Sequence, residues 1–141
     1  MVDQILRYVL DSFALLAYFQ NEPGWEQVES YFEKAQRGEI YLYLNNINLG
    51  ECYYIISRLF GNIKAQSMLS DIKQLPIVIY EVTSEDVISA AKLKAITTIS
   101  YSDAFAASSA QTLNATLITG DPEFKNVEKV VNIEWLPPKR K

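Results

Sequence analysis

Tyr8-Val9-Leu10-Asp11-Ser12 is the stretch whose reading decides the fold of this chain. Tyr8-Val9-Leu10 is an apolar run that suits a short buried strand from Arg7 to Leu10, and Asp11 closes it. Ser12 to Phe19 follows at once, mostly apolar and helical, with Ser12 placed to cap it. Working outward, strand and helix go on alternating. Asn21-Glu22-Pro23-Gly24 breaks the first helix. Trp25 to Gln36 is amphipathic, with Trp25, Val28, Tyr31, Phe32 and Ala35 at i, i+3, i+4 spacing. Gly38 ends it, and Ile40 to Leu44 reads as a second strand. Asn45 or Asn46 caps a helix running to about Gly61, and a further helix from Ile63 to Leu75 stops at Pro76. Ile77 to Val82 is a third strand, and Ser84 caps a helix from Glu85 to Ile96. Ser102 begins an alanine-rich helix to about Leu113, Ala115 to Thr119 is a strand, and Val130 to Trp135 is the last. Strands alternating with helices predict an α/β fold with a mainly parallel central sheet and helices on both faces.

A length of 141 residues suits one domain, 1–141, and a hydrophobic share of 49% is enough to pack it. No apolar stretch approaches the roughly 20 residues that span a bilayer. The opening Met-Val-Asp-Gln-Ile-Leu-Arg does not read as a cleavable signal peptide. The single cysteine, Cys52, excludes an internal disulfide, reads as a small core residue, and points to a reducing cytoplasm. Net charge is −4, from 13 bases and 17 acids. Setting aside the four acids discussed next, bases and acids balance. The chain is therefore not one that grips long nucleic acid by global charge. The basic tail Lys139-Arg140-Lys141 reads as a solvated terminus.

Those four acids carry the functional signal. Asp11 closes the first strand, Asp121 follows Thr116-Leu117-Ile118-Thr119-Gly120, and Glu51 and Asp103 lie near the starts of two helices. In a parallel sheet, strand C-termini and the N-termini of the following helices share one edge, where such folds place their sites. The helix 102–113 spans about 18 Å at about 1.5 Å per residue. The strand 115–119 returns about 16 Å at about 3.3 Å per residue. Asp103 and Asp121 are therefore expected at the same level. Any one of these acids alone could be a cap or turn former. Glu51 fits that reading least, because it sits beside Leu49, Cys52 and Tyr53 on an otherwise apolar helix and needs a partner or an ion. Two carboxylates about 4 Å apart repel by about 4 kcal/mol at an effective dielectric near 20. A helix N-terminus returns only about 0.3–1 kcal/mol. The chain has no histidine, so the ligands are all oxygen, which favours Mg²⁺ or Mn²⁺ over zinc. Such a site suits metal-assisted hydrolysis of a phosphodiester.

At these residues the chain resembles the PIN-domain nucleases, especially the VapC-like toxins of type II toxin–antitoxin pairs. Tyr8-Val9-Leu10-Asp11-Ser12 is similar to the family's opening strand with its first acid and a following Ser or Thr. Asn48-Leu49-Gly50-Glu51-Cys52-Tyr53-Tyr54 resembles the second-acid helix, and Ile99 to Ala107, with Ser102-Asp103-Ala104 inside it, the third. Leu117-Ile118-Thr119-Gly120-Asp121-Pro122-Glu123-Phe124 resembles the fourth. The segments are individually weak, and their order and spacing are strong. The resemblance implies a PIN-like three-layer α/β/α sandwich and a Mg²⁺- or Mn²⁺-dependent endoribonuclease. In it Asp11, Glu51, Asp103 and Asp121 are catalytic and hold the metal. Ser12 and Thr119 are supporting residues whose hydroxyls orient those acids or a water. It also implies a homodimer, an RNA substrate and a cognate antitoxin protein.

Other residues divide less sharply. Glu123 is a candidate extra acid, though an exposed turn residue is the simpler reading. The nine tyrosines suit core and dimer packing better than base stacking, with Tyr101 the expected exception beside Asp103. Trp25, Tyr31 and Phe32 either cover the sheet or form a partner surface. Arg7, Arg37, Arg58 and Lys64 are candidate phosphate contacts. The alternative to an enzyme is a catalytically inactive PIN-fold scaffold that binds RNA or protein. A phospho-acceptor receiver domain is disfavoured because Asp11 has no acidic neighbour. A structure-specific DNA nuclease is disfavoured because the chain lacks long insertions.

Overall fold

The computed structural model describes residues 5–139. Strands β1 (Leu6–Leu10), β2 (Ile40–Asn45), β3 (Val78–Tyr80), β4 (Thr116–Thr119) and β5 (Ile133–Trp135) form one sheet in the order β3-β2-β1-β4-β5. Every neighbouring pair is parallel. Helices α1 (Ser12–Phe19), α2 (Trp25–Gln36), α3 (Asn46–Phe60) and α4 (Asn62–Gln74) serve one face. Helices α5 (Ser84–Ile96) and α6 (Tyr101–Thr112) and a 3₁₀ turn, Pro122–Val127, serve the other. The result is the expected three-layer α/β/α sandwich. Among the described residues no helix is long and apolar enough to cross a membrane.

The apolar runs that marked the central strands are runs because both faces are covered. Successive side chains of a strand point to opposite faces. Leu10 and Ile118 therefore enter the core under α1 to α4, with Leu15, Phe32, Cys52 and Ile56. Their neighbours Val9 and Leu117 enter the core under α5 and α6, with Leu93, Phe105 and Phe124. Tyr31 and Phe32 are buried in the first core, which settles them as sheet cover. Cys52 is fully buried there as well.

Strand order turns around at β1. The chain moves outward through β2 and β3, then crosses back to β4 and β5 on the other side. The C-terminal ends of β1 and β4 thus lie side by side, and Leu10 pairs in register with Ile118. This is the topological switch point where open α/β sheets hold ligands.

Several boundaries differ from the sequence reading. The caps of three helices fall one or two residues earlier than expected: Asp11 caps α1, Thr83 caps α5 and Ser100 caps α6. The third strand is only Val78–Tyr80. The last strand begins at Ile133, because the N–H groups of Val130 and Val131 both turn back to the Val127 carbonyl. The last strand runs parallel to β4, so the chain leaves it at the site edge. Leu136 N–H then donates to the Thr119 carbonyl at 2.8 Å. Gly120 lies under this crossing. A Cβ there would come within 2.4 Å of the Phe13 ring and 2.8 Å of the Pro137 carbonyl, so no larger residue fits between Thr119 and Asp121.

Candidate metal centre at the strand ends

Asp11 is set by its own helix. As the cap of α1, its Oδ1 accepts from the Ala14 N–H at 2.8 Å. Its Oδ2 accepts from the Thr119 hydroxyl at 2.5 Å. Thr119 is fully buried at the end of β4, and its Oγ1 also accepts from the Asp121 N–H at 3.0 Å. One hydroxyl therefore ties the acid after β1 to the acid after β4. Burial pushes the Asp11 carboxyl up to about 7, against the pull of its bonds from Thr119 and Ala14 and with the charges of Asp121 and Glu51 adding to the rise.

With Asp11 as the cap, the Ser12 hydroxyl is free to donate to Glu51 Oε1 at 2.5 Å. The same displacement occurs at α6. Ser100 caps the helix through the Asp103 N–H, which leaves the Ser102 hydroxyl to donate to Glu51 Oε2 at 2.9 Å. Asn48 Nδ2 reaches the Ser102 carbonyl at 3.2 Å and lies 3.5 Å from Glu51 Oε1. Both oxygens of Glu51 are thus met by hydroxyls from two other helices. The residues that sequence reasoning missed are Ser102 and Asn48. The signal was present in Asn48, a buried polar residue one helical turn before Glu51.

Asp103 is 6% exposed at the start of α6. Burial and then the charges of Asp121 and Asp11 push its carboxyl up to about 8. One oxygen each from Asp103, Asp121 and Glu123 lie within 4.8 Å of one another. Glu123 is an exposed turn residue, as the simpler reading had it, but its carboxylate joins the cluster. The cause is the 3₁₀ turn: Asp121 Oδ1 accepts from the Glu123 N–H at 2.9 Å, and Asn126 Nδ2 donates to the Glu123 carbonyl at 2.9 Å.

Ser12, Glu51, Asp103, Asp121 and Glu123 line an open cleft of ≈ 410 Å³ with Phe13, Leu16 and Ile55 on its apolar side. Among the described residues no lysine or arginine lines it. Arg7 lies at the start of β1, away from Asp11, and donates to the Leu113 carbonyl. Arg37 pairs with Glu39, Arg58 stacks on Tyr54, and Lys64 lines a separate cavity of ≈ 340 Å³ between α1, α3 and α4. Tyr101 is 47% exposed and packs on Phe105 rather than lining the cleft. The donor set fits a hard divalent cation, since every candidate ligand atom is a carboxylate oxygen.

Fold and site together define a doubly wound parallel α/β domain with a carboxylate cleft at its switch point. The PIN domain family model matches residues 8–130, and the chain belongs to that family. Among solved structures, a chain in the structure of VapBC2 from Rickettsia felis bound to a promoter DNA fragment superposes with a TM-score of 0.73 at 22% identity. That match covers 93% of this chain and 99% of the other. A chain of a toxin–antitoxin complex from Klebsiella pneumoniae gives 0.63 at 15% identity, covering 90% and 95%. VapC20 from Mycobacterium tuberculosis, a toxin that cleaves the sarcin–ricin loop, gives 0.63 at 15% identity, covering 85% and 94%. At these identities the likeness is one of fold. No curated protein matches the chain.

Proposed function

We propose that this protein is an endoribonuclease dependent on Mg²⁺ or Mn²⁺, and that it is the toxin of a toxin–antitoxin pair. The observation that carries the reading is the convergence of Glu51, Asp103 and Asp121 on one cleft at the switch point of a PIN fold, with Asp11 buried beside it and bonded to Thr119. A cation bound among these acids supplies neutralising charge to a phosphodiester and acidifies a water. The residues do the rest. Asp103, in the first turn of α6, and Asp121, just after β4, would hold the cation. Thr119 fixes Asp11 and Asp121 relative to each other. Ser12 and Ser102 fix the Glu51 carboxylate, so that it can take up a proton from the attacking water. Phe13, Leu16 and Ile55 present an apolar wall to the substrate.

RNA as substrate is supported by the sarcin–ricin loop activity of VapC20. An antitoxin partner is supported by the Klebsiella pneumoniae toxin–antitoxin complex. A homodimer in the cytoplasm completes the reading. The test is cleavage of RNA by Asp11→Asn and Asp103→Asn, with folding checked by circular dichroism. Both variants are expected to stay folded and lose cleavage, and undiminished cleavage by either contradicts the mechanism.

A further inference from the structure

The chain leaves β5 at the site edge and is held there. Leu136 is buried in the core under α1 to α4, and its N–H is bonded to the Thr119 carbonyl. Pro137 packs on two glycines. Its carbonyl lies over Gly120, and its ring sits 3.1 Å from where a Cβ would stand on Gly24, the cap of α2. Pro138 follows, and two adjacent prolines stiffen the chain because each ring fixes φ. Lys139, next along, lines a cavity of ≈ 130 Å³ with Phe13, Leu16, Ile55 and Leu59. Phe13, Leu16 and Ile55 are also the apolar side of the acidic cleft, so cavity and cleft are two parts of one groove along α1 and α3. The tail that reads in sequence as a solvated terminus is therefore seated beside the acids as far as Lys139. Arg140 and Lys141 lie outside the described residues.

Charge gives this placement a use. Glu51, Asp103, Asp121 and Glu123 line the cleft, and one divalent ion offsets only two of their charges. RNA carries a negative charge at every phosphate, so the phosphates flanking a scissile bond in this cleft need a base from the chain. Arg7, Arg37 and Arg58 are engaged elsewhere. Lys139 is exposed, and among the described residues its ammonium pairs with no carboxylate. Resting on the nuclease reading above, we propose that the groove from the acidic cleft to Lys139 is the track of the RNA strand, and that Lys139 binds a backbone phosphate flanking the scissile one. Phe13 and Leu16 form the floor between the two, apolar surface on which a base can lie. A phosphate contact of this kind sets affinity and register and reads no sequence.

The test is fluorescence anisotropy of a labelled single-stranded RNA of mixed sequence, with Ca²⁺ in place of Mn²⁺ to hold back cleavage. Wild type, Lys139→Ala, Lys139→Arg and Lys94→Ala are compared. Lys94 is an exposed lysine of α5, on the opposite face of the sheet, and controls for net charge. Lys139→Ala is expected to weaken binding by about fivefold at low salt, the upper range for an exposed ion pair. It should also lower the slope of log K against log salt by about 0.7, the share of one single-strand phosphate. Lys139→Arg is expected to keep both affinity and slope, and Lys94→Ala to change neither. In cleavage with Mn²⁺, Lys139→Ala should raise KM more than it lowers kcat. Binding by Lys139→Ala as tight as by Lys94→Ala overturns the assignment, as does weaker binding with the slope unchanged. Glu22 lines the same cavity with one carboxylate oxygen buried and without a donor. A fall in Tm in Lys139→Ala that Glu22→Gln restores, with RNA affinity unchanged, gives Lys139 to Glu22 and also overturns it. Absence of both RNA binding and cleavage in the wild type overturns the nuclease reading, and this assignment falls with it.

Discussion

Asp86 and Asp103 occupy the same place in two neighbouring helices and lead different lives. Each is the third residue after its cap, each is 6% exposed, and each donates its N–H to the cap hydroxyl, at 3.2 Å to Thr83 and 3.1 Å to Ser100. Asp86 returns the favour. Its Oδ2 accepts from the Thr83 N–H at 2.8 Å and from the Tyr80 hydroxyl at 2.7 Å, closing a capping box. Against the cost of burial, those bonds hold its carboxyl below the usual range. Burial of Tyr80, with the hydrogen bond to Asp86 and its charge adding, pushes that phenol up to about 12. Asp103 closes no such box. Burial drives its carboxyl upward, and the charges of Asp121 and Asp11 that it faces add to the rise. The difference teaches that a place in the first turn of a helix does not by itself mark a functional acid. What marks it is whether the local donors suffice for its charge. Asp86 is compensated by hydrogen bonds, and Asp103 faces other acids.

The comparison can be broken most severely through activity. Asp103→Asn is expected to abolish RNA cleavage, a loss of about 100-fold or more as for removal of a charge-stabilising group at a reacting centre. Asp86→Asn is expected to keep its cleavage rate at a temperature where both are folded. Equal losses in the two variants contradict the distinction. Metal-linked stability comes next. Mn²⁺ at 100 times its Kd is expected to stabilise wild type and Asp86→Asn alike by about 2.7 kcal/mol, read as a rise in Tm. Asp103→Asn should show little or no rise.

A smaller effect sits on the structural side. Asp86→Ala removes the box and leaves the Thr83 N–H and Tyr80 hydroxyl without their partner, at a cost of about 1–3 kcal/mol in chemical denaturation. Asp103→Ala in metal-free buffer is expected to be neutral or stabilising, since it removes repulsion. The smallest effect is the slope of stability with pH. The folded-state carboxyls of Asp11 and Asp103 lie at about 7 and about 8, well above the roughly 3.9 of an unfolded aspartate. The metal-free folded state therefore binds more protons, and its Tm is expected to fall as pH rises from about 4 to about 8. The Asp86 contribution runs the other way, present above about pH 4 and lost as pH falls through its lowered value. Saturating Mn²⁺ should remove most of the first slope and leave the second. A flat metal-free profile between pH 4 and 8 contradicts the raised carboxyls that burial gives Asp11 and Asp103.

Much of this was legible in the sequence, for reasons that also explain what was not. Tyr8-Val9-Leu10 and Leu117-Ile118 read as strands because burial on both faces leaves an unbroken apolar run. The three caps were misplaced because each lies in a cluster of residues that can all cap. Asp11 precedes Ser12, Thr83 precedes Ser84, and Ser100 precedes Ser102. Which one takes the role depends on backbone angles, such as the extended φ of −90° and ψ of −179° at Asp11, that composition does not encode. The displacement matters for function, because it frees the hydroxyls of Ser12 and Ser102 for Glu51. Glu123 was harder still. Its approach to Asp103 depends on a 3₁₀ turn built by Asp121, and a turn of that length leaves no periodicity to read.

The central claim is that Asp103 belongs to a cation site and Asp86 does not. Anomalous diffraction from crystals of the protein soaked in millimolar Mn²⁺ tests it most directly. The account predicts one peak in the cleft, within coordination distance of the carboxylates of Asp103 and Asp121. Density at Asp86, or a cleft without any peak, would contradict it.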